Sequence, residues 1–376
     1  MIGMGIGAIA LLIWVGLIFA HGQFWRASVT DVADRPPEPA RWPSVTAIVP
    51  ARDEADVIAQ SVGSLLKQDY PGEFGVILVD DSSTDGTAAV ARSLDGDRLT
   101  IVTGAPLPSG WTGKLWAVSQ GVAAAERPDF LWLTDADIEH APDTLRSLVS
   151  RAEAGGLQLV SLMARLRCDT FAERMLVPAF VFFFQMLYPF PSVSRPEGKG
   201  AAAGGCMLVR RKALERAGGI GAIRGALIDD CIFGALIKRQ GRIWLGLTDR
   251  ARSIRPYESF GSIAAMISRS AYAQLGYSLV MLAGTILGLL LVYGAPPLLT
   301  LFGSGTARIM GAAAWALMAL SFQPMLRFYL RSPLWGIALP AIAAFYAGCT
   351  LLSAWQYHRG RGGMWKGRSQ AAVRPS

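Results

Sequence analysis

Short apolar runs alternate with helical stretches between residues 45 and 134, and this alternation constrains the fold more than any other feature of the chain. Strands that alternate with helices form βαβ units, in which helices cover both faces of a parallel sheet. We therefore predict an α/β fold with a mostly parallel sheet. The predicted strands lie at residues 45–49, 76–79, 99–102 and 130–134, and the predicted helices at 53–67, 87–94 and 115–125.

An acid-rich string follows three of the four predicted strands. Ligands of parallel α/β sheets bind beyond the carboxyl ends of the strands, so we expect the three strings to meet on one rim. Three acidic strings on a single rim predict a polar ligand site. The strings are Pro-Ala-Arg-Asp-Glu at 50–54, Asp-Asp-Ser-Ser-Thr-Asp-Gly-Thr at 80–87 and Asp-Ala-Asp at 135–137.

Asp135 and Asp137 are the clearest candidates for metal ligands. Residues at positions i and i+2 of an extended chain project to the same side, so both carboxylates can face one divalent cation that prefers oxygen ligands. A cation held in this way can bind a diphosphate. By itself such a pair more often opens a turn or caps a helix, but its place beside the other acidic strings favours the metal site.

The rim lacks the glycine loops that bind phosphates in other nucleotide sites. Neither G-x-G-x-x-G nor G-x-x-x-x-G-K-[ST] opens a helix here, which disfavours NAD-dependent enzymes and P-loop NTPases. Carboxylates can instead accept hydrogen bonds from a nucleobase and from ribose hydroxyls, and Asp53, Glu54 and Asp81 are the candidates. Helix capping is the competing role on this rim, and we assign it to Ser83 or Asp85.

Four uncharged apolar blocks predict a membrane protein. The first, at residues 2–20, approaches the roughly 20 residues that cross a bilayer. A retained anchor is favoured over a cleaved signal peptide, because no basic residue precedes the block. The other three, at 279–302, 309–326 and 334–355, are more than one soluble domain needs as buried helices.

Prolines and basic flanks leave the topology of the C-terminal region open. Pro296-Pro297 and Pro340 are expected to kink or break helices, so a re-entrant block is an alternative to a span. The net charge is +8, and the positive-inside rule assigns both flanks of the last block to the cytoplasm, which one spanning helix cannot satisfy. The basic residues that flank the last two blocks are Arg327, Arg331, Arg359, Arg361, Lys366 and Arg368.

Several other classes of protein are disfavoured. The basic charge gathers around the membrane blocks without an aromatic-basic motif, so we expect no nucleic-acid partner. Four widely spaced cysteines and three isolated histidines likewise disfavour a zinc site, a disulfide framework and a serine triad. His140, the histidine nearest the Asp-Ala-Asp string, is expected to lie at the surface or to cap a helix.

The order and spacing of the acidic strings resemble the family 2 glycosyltransferases, which have the GT-A fold. Gly-Lys-Leu-Trp-Ala at 113–117, with Gln-Gly at 120–121, is similar to the G-K-x-x-A segment of that family. The resemblance covers about residues 45–277 and implies a nucleotide-diphospho-sugar transferase domain with a Rossmann-like, mostly parallel sheet. The flanking membrane segments are similar to the hopanoid-associated branch, which is related to ceramide glucosyltransferases.

The resemblance implies a role for each matching residue. Asp137 would coordinate Mg²⁺ or Mn²⁺, with Asp135 supporting it against the ribose or sugar. The cation would stabilise the negative charge that gathers on the diphosphate as the glycosidic bond breaks. Lys114 would assist at the donor sugar or phosphates, although an ordinary solvated lysine is the alternative. The nucleoside would be held by Pro50, Asp53 or Glu54, and Asp81.

Asp229 and Asp230 resemble the acidic pair of the family whose second carboxylate is the catalytic base. By this resemblance Asp230 accepts the proton of an acceptor hydroxyl, with Asp229 beside the substrate, and attack opposite the nucleotide inverts the anomeric centre. Capping of the following helix is the alternative role. Gly204 and Gly205 open a strand upstream and would allow close approach of the acceptor and the donor sugar, or simply begin the strand.

The chain departs from the processive members of the family. They carry Q-x-x-R-W after the base, whereas residues 274–277 read Gln-Leu-Gly-Tyr, with glycine where the arginine would fall. Transfer of a single sugar is therefore expected rather than polymer synthesis. Arg269 is a partial substitute that would reach the diphosphate, and a membrane-surface arginine is the alternative.

An aromatic segment at residues 177–191 is expected to lie at the membrane interface, where a lipid acceptor would enter. Packing of this segment against the sheet is the alternative. The predicted parts of the chain are an anchor at 1–25, a Pro-rich linker at 26–44, the GT-A domain at 45–277, a membrane region at 278–356 and a basic tail at 357–376.

These features predict a membrane-bound, inverting, metal-dependent glycosyltransferase that moves one sugar from a nucleotide-sugar donor to a membrane lipid, with a hopanoid as the candidate acceptor. We expect it in the inner membrane, with a cytoplasmic catalytic domain. One alternative is transfer to a polyisoprenyl phosphate, which is already ionised and needs no base. The other is a non-catalytic scaffold or lipid-binding protein on a decayed transferase fold. The sugar and the oligomeric state stay open.

Overall fold

The computed structural model describes residues 1–32, 36–94, 96–365 and 368–369, with the backbone alone at residues 364, 365, 368 and 369. The chain forms two compact units. A helical unit contains Met1–Ser28, Cys168–Pro191 and Tyr257–Gly363, and a sheet unit is built mainly from Val29–Arg167 and Ser192–Pro256.

The strands are β1 (Val45–Ala51), β2 (Phe74–Asp80), β3 (Leu99–Thr103), β4 (Phe130–Thr134), β5 (Ile138–His140), β6 (Leu159–Arg165), β7 (Cys206–Arg210), β8 (Ile243–Ser253), β9 (Met364–Trp365) and β10 (Arg368–Ser369). The helices are α1 (Ile2–Ala20), α2 (Ala55–Leu66), α3 (Thr87–Arg92), α4 (Gly113–Ala124), α5 (Thr144–Gly155), α6 (Phe171–Leu187), α7 (Phe190–Val193), α8 (Arg211–Arg216), α9 (Asp229–Lys238), α10 (Phe260–Ser268), α11 (Ala271–Gln274), α12 (Leu279–Leu289), α13 (Ala295–Phe302), α14 (Gly305–Phe328) and α15 (Leu339–His358).

The sheet unit is built on an eight-stranded mixed sheet in the order β3-β2-β1-β4-β7-β6-β8-β5. The β3-β2-β1-β4 half is parallel throughout, while β7 runs antiparallel to both of its neighbours and β8 runs parallel to β6. The parallel half confirms the βαβ units predicted from the alternating pattern. Sheet and helices together have the predicted GT-A fold.

The register of the central strands brings the acidic strings to one rim. Ala51 at the end of β1 pairs with Asp80 at the end of β2, and β1 also pairs in parallel with β4, which ends at Thr134. The carboxyl ends of the three strands therefore meet at one edge of the sheet, as expected for parallel neighbours.

Helices pack on both faces of this parallel half. Ile58, Val62 and Leu65 recur at helical spacing along α2 and are fully buried in the sheet core. On the opposite face α4 lies so close to β1 that a Cβ added at Gly121 would come within 2.5 Å of Ile48 Cγ2. The two helices thereby fix the strand ends that carry the acidic strings.

The helical unit contains the predicted membrane segments. Three helices in the described part of the chain are long and apolar enough to cross a bilayer, at Ile2–Ala20, Leu279–Phe302 and Gly305–Phe328. The last predicted block, 334–355, instead forms a short 3₁₀ turn at Pro333–Gly336 followed by α15. Of the basic residues that flank the blocks, Lys366 lies outside the described residues.

The prolines that were predicted to kink or break helices lie in the first turns of α13 and α15. Pro296-Pro297 do not end their helix, because a π-helical turn at Leu290–Gly294 leads into them and Pro296 and Pro297 occupy the first turn of α13. Pro340 begins α15 rather than breaking it. The N–H groups of a first helical turn have no intrahelical partner, so a proline is tolerated there, which explains the placement of Pro340.

The predicted aromatic segment, 177–191, forms most of α6 and packs within the helical unit. Phe182 is fully buried and contacts Phe24 and Phe322 at ring-centroid distances of 5.3 and 5.1 Å. Phe183 contacts Tyr293 and Tyr346. These contacts are with other parts of the helical unit, and they do not decide between the interface and packing against the sheet. The position at a membrane interface remains a prediction.

The residues of the predicted GT-A domain, 45–277, are divided between the two units, and that domain stays a prediction. Residues 168–191 and 257–277 belong to the helical unit. Residues 168–191 join this unit because buried apolar side chains of α6, such as Phe182, pack against other parts of the unit. The sequence pattern could not show this, because the segment lies between two strands of the sheet.

Candidate active site

The loops after β1 and β2 are joined by side-chain hydrogen bonds. The Asp53 Oδ1 accepts from the backbone N–H of Thr84 at 2.8 Å, and Ser83 Oγ accepts from the N–H of Asp53 at 3.0 Å. Asp53 itself has a φ of 51°, a conformation that asparagine and aspartate tolerate better than most residues. Asp53, one of the residues predicted to hold a nucleoside, therefore also fixes the geometry of these loops.

Asp85 stabilises the start of two helices. Its Oδ1 accepts from the N–H of Thr87 at 3.0 Å, in the first turn of α3, and its Oδ2 accepts from the N–H of Ala55 at 2.9 Å, the first residue of α2. These bonds lower the pKa of Asp85 against the opposing effect of burial. The predicted capping role thus belongs to Asp85, whereas Ser83 bonds to the loop after β1.

Asp81 is almost completely buried behind this rim. Its carboxylate lies 3.8 Å from Nη1 of Arg52, and only 2% of its side chain is exposed. Pro50 lies in β1, one residue from the strand end, and lines a cavity with Lys114 and Asp135. The nucleoside role predicted for Pro50, Asp53, Glu54 and Asp81 stays a prediction.

Arg255 joins two carboxylates of the rim. Its Nη2 lies 2.7 and 2.6 Å from the two carboxylate oxygens of Glu54, and its Nε lies 2.8 Å from Asp137 Oδ2. The N–H of Ile254 donates to the Asp137 carbonyl at 2.9 Å, which fixes the chain beyond β8 against the same loop. Burial disfavours the charge on Arg255, but Asp137 and Glu54 outweigh it and raise the pKa of the guanidinium.

Lys114 joins the metal-binding candidates to the acidic pair at the start of α9. Its Nζ lies 2.8 Å from Asp135 Oδ1 and 3.3 Å from Asp229 Oδ2. Burial opposes the charge on Lys114, yet the carboxylates of Asp135 and Asp229 raise its pKa. Lys114 is thus an ion-paired residue of the site and not a solvated lysine.

Asp230 is held at the site by backbone donors. Its Oδ2 accepts from the N–H of Gly204 at 3.1 Å, and its Oδ1 accepts from the N–H of Cys231 at 2.7 Å. A Cβ added at Gly204 would lie 3.4 Å from Lys114 Nζ and 3.5 Å from Asp230 Oδ2. Burial and the neighbouring Asp229 carboxylate raise the pKa of Asp230 to about 6.

His140 is buried behind the site, and the expected surface or capping position is wrong. Its Nε2 lies 2.9 Å from Thr134 Oγ1, and that hydroxyl donates to the Gly205 carbonyl at 2.8 Å. Burial lowers the pKa of His140 to about 3, so the ring is neutral. Strand alternation explains the position, because β5 pairs with β8 and presents every second side chain to the core. These contacts link His140 and the end of β4 to the backbone of Gly205, which follows Gly204.

Asp135 and Asp137 fit a divalent cation that takes further ligands from a diphosphate. Both side chains are half-buried, whereas Ala136 between them is buried. Their shared role as metal ligands stays a prediction. Carboxylate oxygens are the donors that Mg²⁺ and Mn²⁺ prefer. No group of three or more histidine, cysteine or acidic side chains suited to a metal occurs in the described residues, so the remaining ligands would be phosphate or water oxygens.

The structure brings most of the predicted site residues to one rim of the sheet unit. Arg269 follows α10 in the helical unit, and its predicted role at the diphosphate stays a prediction. Sequence reasoning missed Arg255 and did not assign Arg52. Arg255 carries no signal beyond its place directly after a strand, 118 residues from Asp137.

Fold and site together define a GT-A protein with the features of a glycosyltransferase. Residues 46–218 match the family "Glycosyl transferase family 2". A solved structure of similar fold is the mannosyltransferase PcManGT from Pyrobaculum calidifontis in complex with GDP-Man and Mn²⁺, with a TM-score of 0.57, 23% identity, and coverage of 93% of this chain and 99% of that chain.

Two curated relatives match part of the chain, and the name of the second is that of a glycosyltransferase. The chain is 32% identical over 159 residues to the succinoglycan biosynthesis protein ExoO of Rhizobium meliloti (strain 1021), which covers 39% of this chain and 44% of that protein. It is 35% identical over 116 residues to a 4,4'-diaponeurosporenoate glycosyltransferase of Staphylococcus aureus (strain bovine RF122 / ET3-1), which covers 30% and 29%. The chain spans less than half the length of these relatives. The matches support a family 2 glycosyltransferase and disfavour the non-catalytic scaffold.

Proposed function

We propose that this protein is a membrane-bound, inverting glycosyltransferase that transfers one sugar from a nucleoside diphosphate to a lipid hydroxyl. The observation that carries the proposal is the bridge made by Lys114 between Asp135 and Asp229. This bridge joins a pair of candidate metal ligands to Asp229, the residue next to the candidate base Asp230. A leaving-group site and a base site then lie side by side, as sugar transfer requires.

The leaving-group side is formed by Asp135, Asp137 and Lys114. A bound Mg²⁺ or Mn²⁺ would supply electrostatic stabilisation of the departing diphosphate. Asp137 is the direct ligand in this proposal, and Asp135 supports it while paired with Lys114. Mn²⁺ in the mannosyltransferase complex of similar fold agrees with this choice of cation. The cationic Lys114 adds attraction for the diphosphate next to the same carboxylate.

The base side is formed by Asp230. Its carboxylate takes the proton of the acceptor hydroxyl while the acceptor oxygen forms a bond to the anomeric carbon. The bond from that carbon to the diphosphate oxygen breaks at the same time, and its electron pair leaves with the diphosphate. Attack from the opposite side inverts the anomeric centre. A pKa near 6 leaves Asp230 ionised at neutral pH and still basic enough to accept a proton.

The acceptor is proposed to be a membrane lipid. Three helices long enough to span a bilayer support attachment to the membrane, and the name of the staphylococcal relative specifies a non-protein acceptor, 4,4'-diaponeurosporenoate. A hopanoid is our candidate acceptor, on the resemblance of the flanking segments. We place the enzyme in the inner membrane with its sheet unit in the cytoplasm, where nucleotide sugars are made.

Lipid mass spectrometry tests this proposal. Membranes that contain the protein are incubated with a panel of nucleotide sugars and Mn²⁺, and their lipids are compared with those from membranes that contain Asp137→Ala. We expect a new glycolipid from the unaltered protein and a loss of at least about 100-fold in the variant, since the cation loses its direct ligand. Asp97→Ala is the matched control, because Asp97 is exposed and precedes β3 at the strand's amino end. Equal products from the unaltered protein and Asp137→Ala would refute the metal role.

A further inference from the structure

Arg255 lies where the cation and the diphosphate are expected to bind. Its Nε contacts Asp137 Oδ2, the oxygen of the predicted direct metal ligand, and its Nη2 contacts both oxygens of Glu54. The three side chains together carry a single net negative charge. Because Arg255 is already bonded to the Asp137 carboxylate, a divalent cation that binds Asp137 would be repelled by the guanidinium charge.

The position of Arg255 is set by the sheet. The N–H of Ile254 is bonded to the Asp137 carbonyl, and Pro256 follows Arg255, so the backbone on both sides of the residue is restricted. The side chain nevertheless remains about one-third exposed, whereas Glu54 is 10% and Asp137 16% exposed. The guanidinium thus has access to a bound ligand, and the two carboxylates that hold it are comparatively shielded.

The guanidinium is suited to exchange one anionic partner for another. Its planar fork binds carboxylate and phosphate oxygens with the same geometry. If a cation takes Asp137, the Nε donor loses its partner, while Glu54 can keep the Nη2 end. A diphosphate bound to that cation would offer oxygens of the same kind within reach of the released donor.

We propose that Arg255 is a positioning residue that couples the binding of the divalent cation to the binding of the nucleoside diphosphate. Without ligands, Arg255 bridges Asp137 and Glu54. When the cation and the diphosphate bind, a diphosphate oxygen replaces Asp137 as the partner of Arg255. The cation alone then binds weakly, because it must compete with Arg255, and the cation with a diphosphate binds strongly. This inference rests on the proposed function, since it requires the diphosphate site at Asp137.

Mn²⁺ binding to the detergent-solubilised full chain tests the coupling. Free Mn²⁺ is measured by electron paramagnetic resonance, alone and with UDP, GDP, ADP or dTDP present. For the unaltered protein we expect at least one nucleoside diphosphate to tighten the Kd for Mn²⁺ by about 10-fold or more, within the usual range of coupling between sites. In Arg255→Gln we expect Mn²⁺ alone to bind several-fold more tightly and the tightening by the nucleotide to shrink.

Two further variants keep the test decisive. Arg252→Gln is the matched control, because Arg252 lies on the same stretch of chain but bonds to the carbonyl of Asp249, and its Mn²⁺ binding should equal that of the unaltered protein. Arg255→Lys keeps the charge but lacks the fork that bridges both carboxylates, so an intermediate coupling is expected. If Arg255→Gln does not fold, as judged by its thermal unfolding, the same comparison is decided with Arg255→Lys.

The outcomes separate the inference from the proposed function. An Arg255→Gln protein that binds Mn²⁺ alone no more tightly than the unaltered protein, with unchanged coupling, would show a purely structural ion pair and overturn the inference alone. An unaltered protein that binds Mn²⁺ under none of these conditions would overturn the proposed function and the inference with it.

Discussion

Asp230 illustrates how this fold prepares a carboxylate for proton transfer at the scale of one residue. Two backbone N–H groups stabilise its charged form, while burial and the Asp229 carboxylate oppose it. The opposing effects dominate and raise the pKa of Asp230 to about 6. A base with this pKa is ionised at neutral pH and loses its function in mild acid.

The pH dependence of turnover tests this assignment. Because only ionised Asp230 accepts a proton, kcat/KM is expected to rise with pH through about 6 and then level off. Asp229→Asn removes the like charge beside Asp230, so it should lower the pKa of Asp230 and move the acid limb to lower pH. The measurement is kcat/KM from pH 4.5 to 8 for both proteins, with Asp97→Asn as the control. An acid limb that does not move in Asp229→Asn would argue against Asp230 as the titrating group.

Helix α9 positions this base through close backbone packing at the scale of the element. A Cβ at Gly234 would lie 2.3 Å from the carbonyl carbon of Ala201 and 2.6 Å from the N of Ala202. This segment leads directly to Gly204, whose N–H binds Asp230. The missing side chain at Gly234 therefore allows the helix that carries the base to approach the loop that orients it.

Gly234→Ala tests the role of this contact. The added methyl group meets backbone atoms that cannot rotate away, so we expect a loss of about 1–3 kcal/mol in the free energy of unfolding and a fall in kcat. Gly63→Ala is the matched control, since Gly63 lies in α2 with open space around its would-be Cβ and should gain about 0.5–1 kcal/mol. Both are measured by denaturant unfolding and by initial rates. A neutral Gly234→Ala would contradict the packing explanation.

The predictability of the structure differs between elements for physical reasons. The apolar runs at β1, β2 and β4 specified both the strands and the rim, because buried parallel strands are short, apolar and followed by turn residues. Arg255 could not be found, since its contact with Asp137 arises only when β8 joins the far half of the sheet. The position of His140 was predicted wrongly because its strand, β5, pairs with a strand far away in sequence: His140 pairs with Ala251, 111 residues later.

The chain as a whole combines a sheet unit that carries the site with a helical unit that carries three candidate membrane spans. The two spans of 24 residues exceed the ~30 Å hydrocarbon core at 1.5 Å per residue, and the 19 residues of Ile2–Ala20 nearly match it. Many of their large apolar side chains are exposed, among them Leu12, Phe19, Val280, Phe302 and Ile309. Exposed apolar surface of this extent is stable in lipid and unfavourable in water.

Membrane fractionation tests the spans directly. The full chain should stay in the membrane pellet after washing with alkaline carbonate, which removes peripheral proteins. A variant that lacks residues 1–20 should also remain, because Leu279–Phe302 and Gly305–Phe328 are still present. Immunoblots of pellet and supernatant report the distribution. Release of the full chain by carbonate would show that these helices do not span the bilayer.

The turnover of Asp230→Asn tests the central claim, base-assisted sugar transfer to a lipid hydroxyl. Asparagine keeps the shape and one of the two backbone hydrogen bonds, because it has a single acceptor oxygen. It cannot accept the proton, so kcat should fall by about 10²–10⁴ while binding of the nucleoside diphosphate is unchanged. Sugar transfer to lipid is measured by mass spectrometry with the active donor, beside the unaltered protein and Asp97→Asn. Turnover of Asp230→Asn close to that of the unaltered protein would contradict the claim and favour an acceptor that is already ionised, such as a polyisoprenyl phosphate.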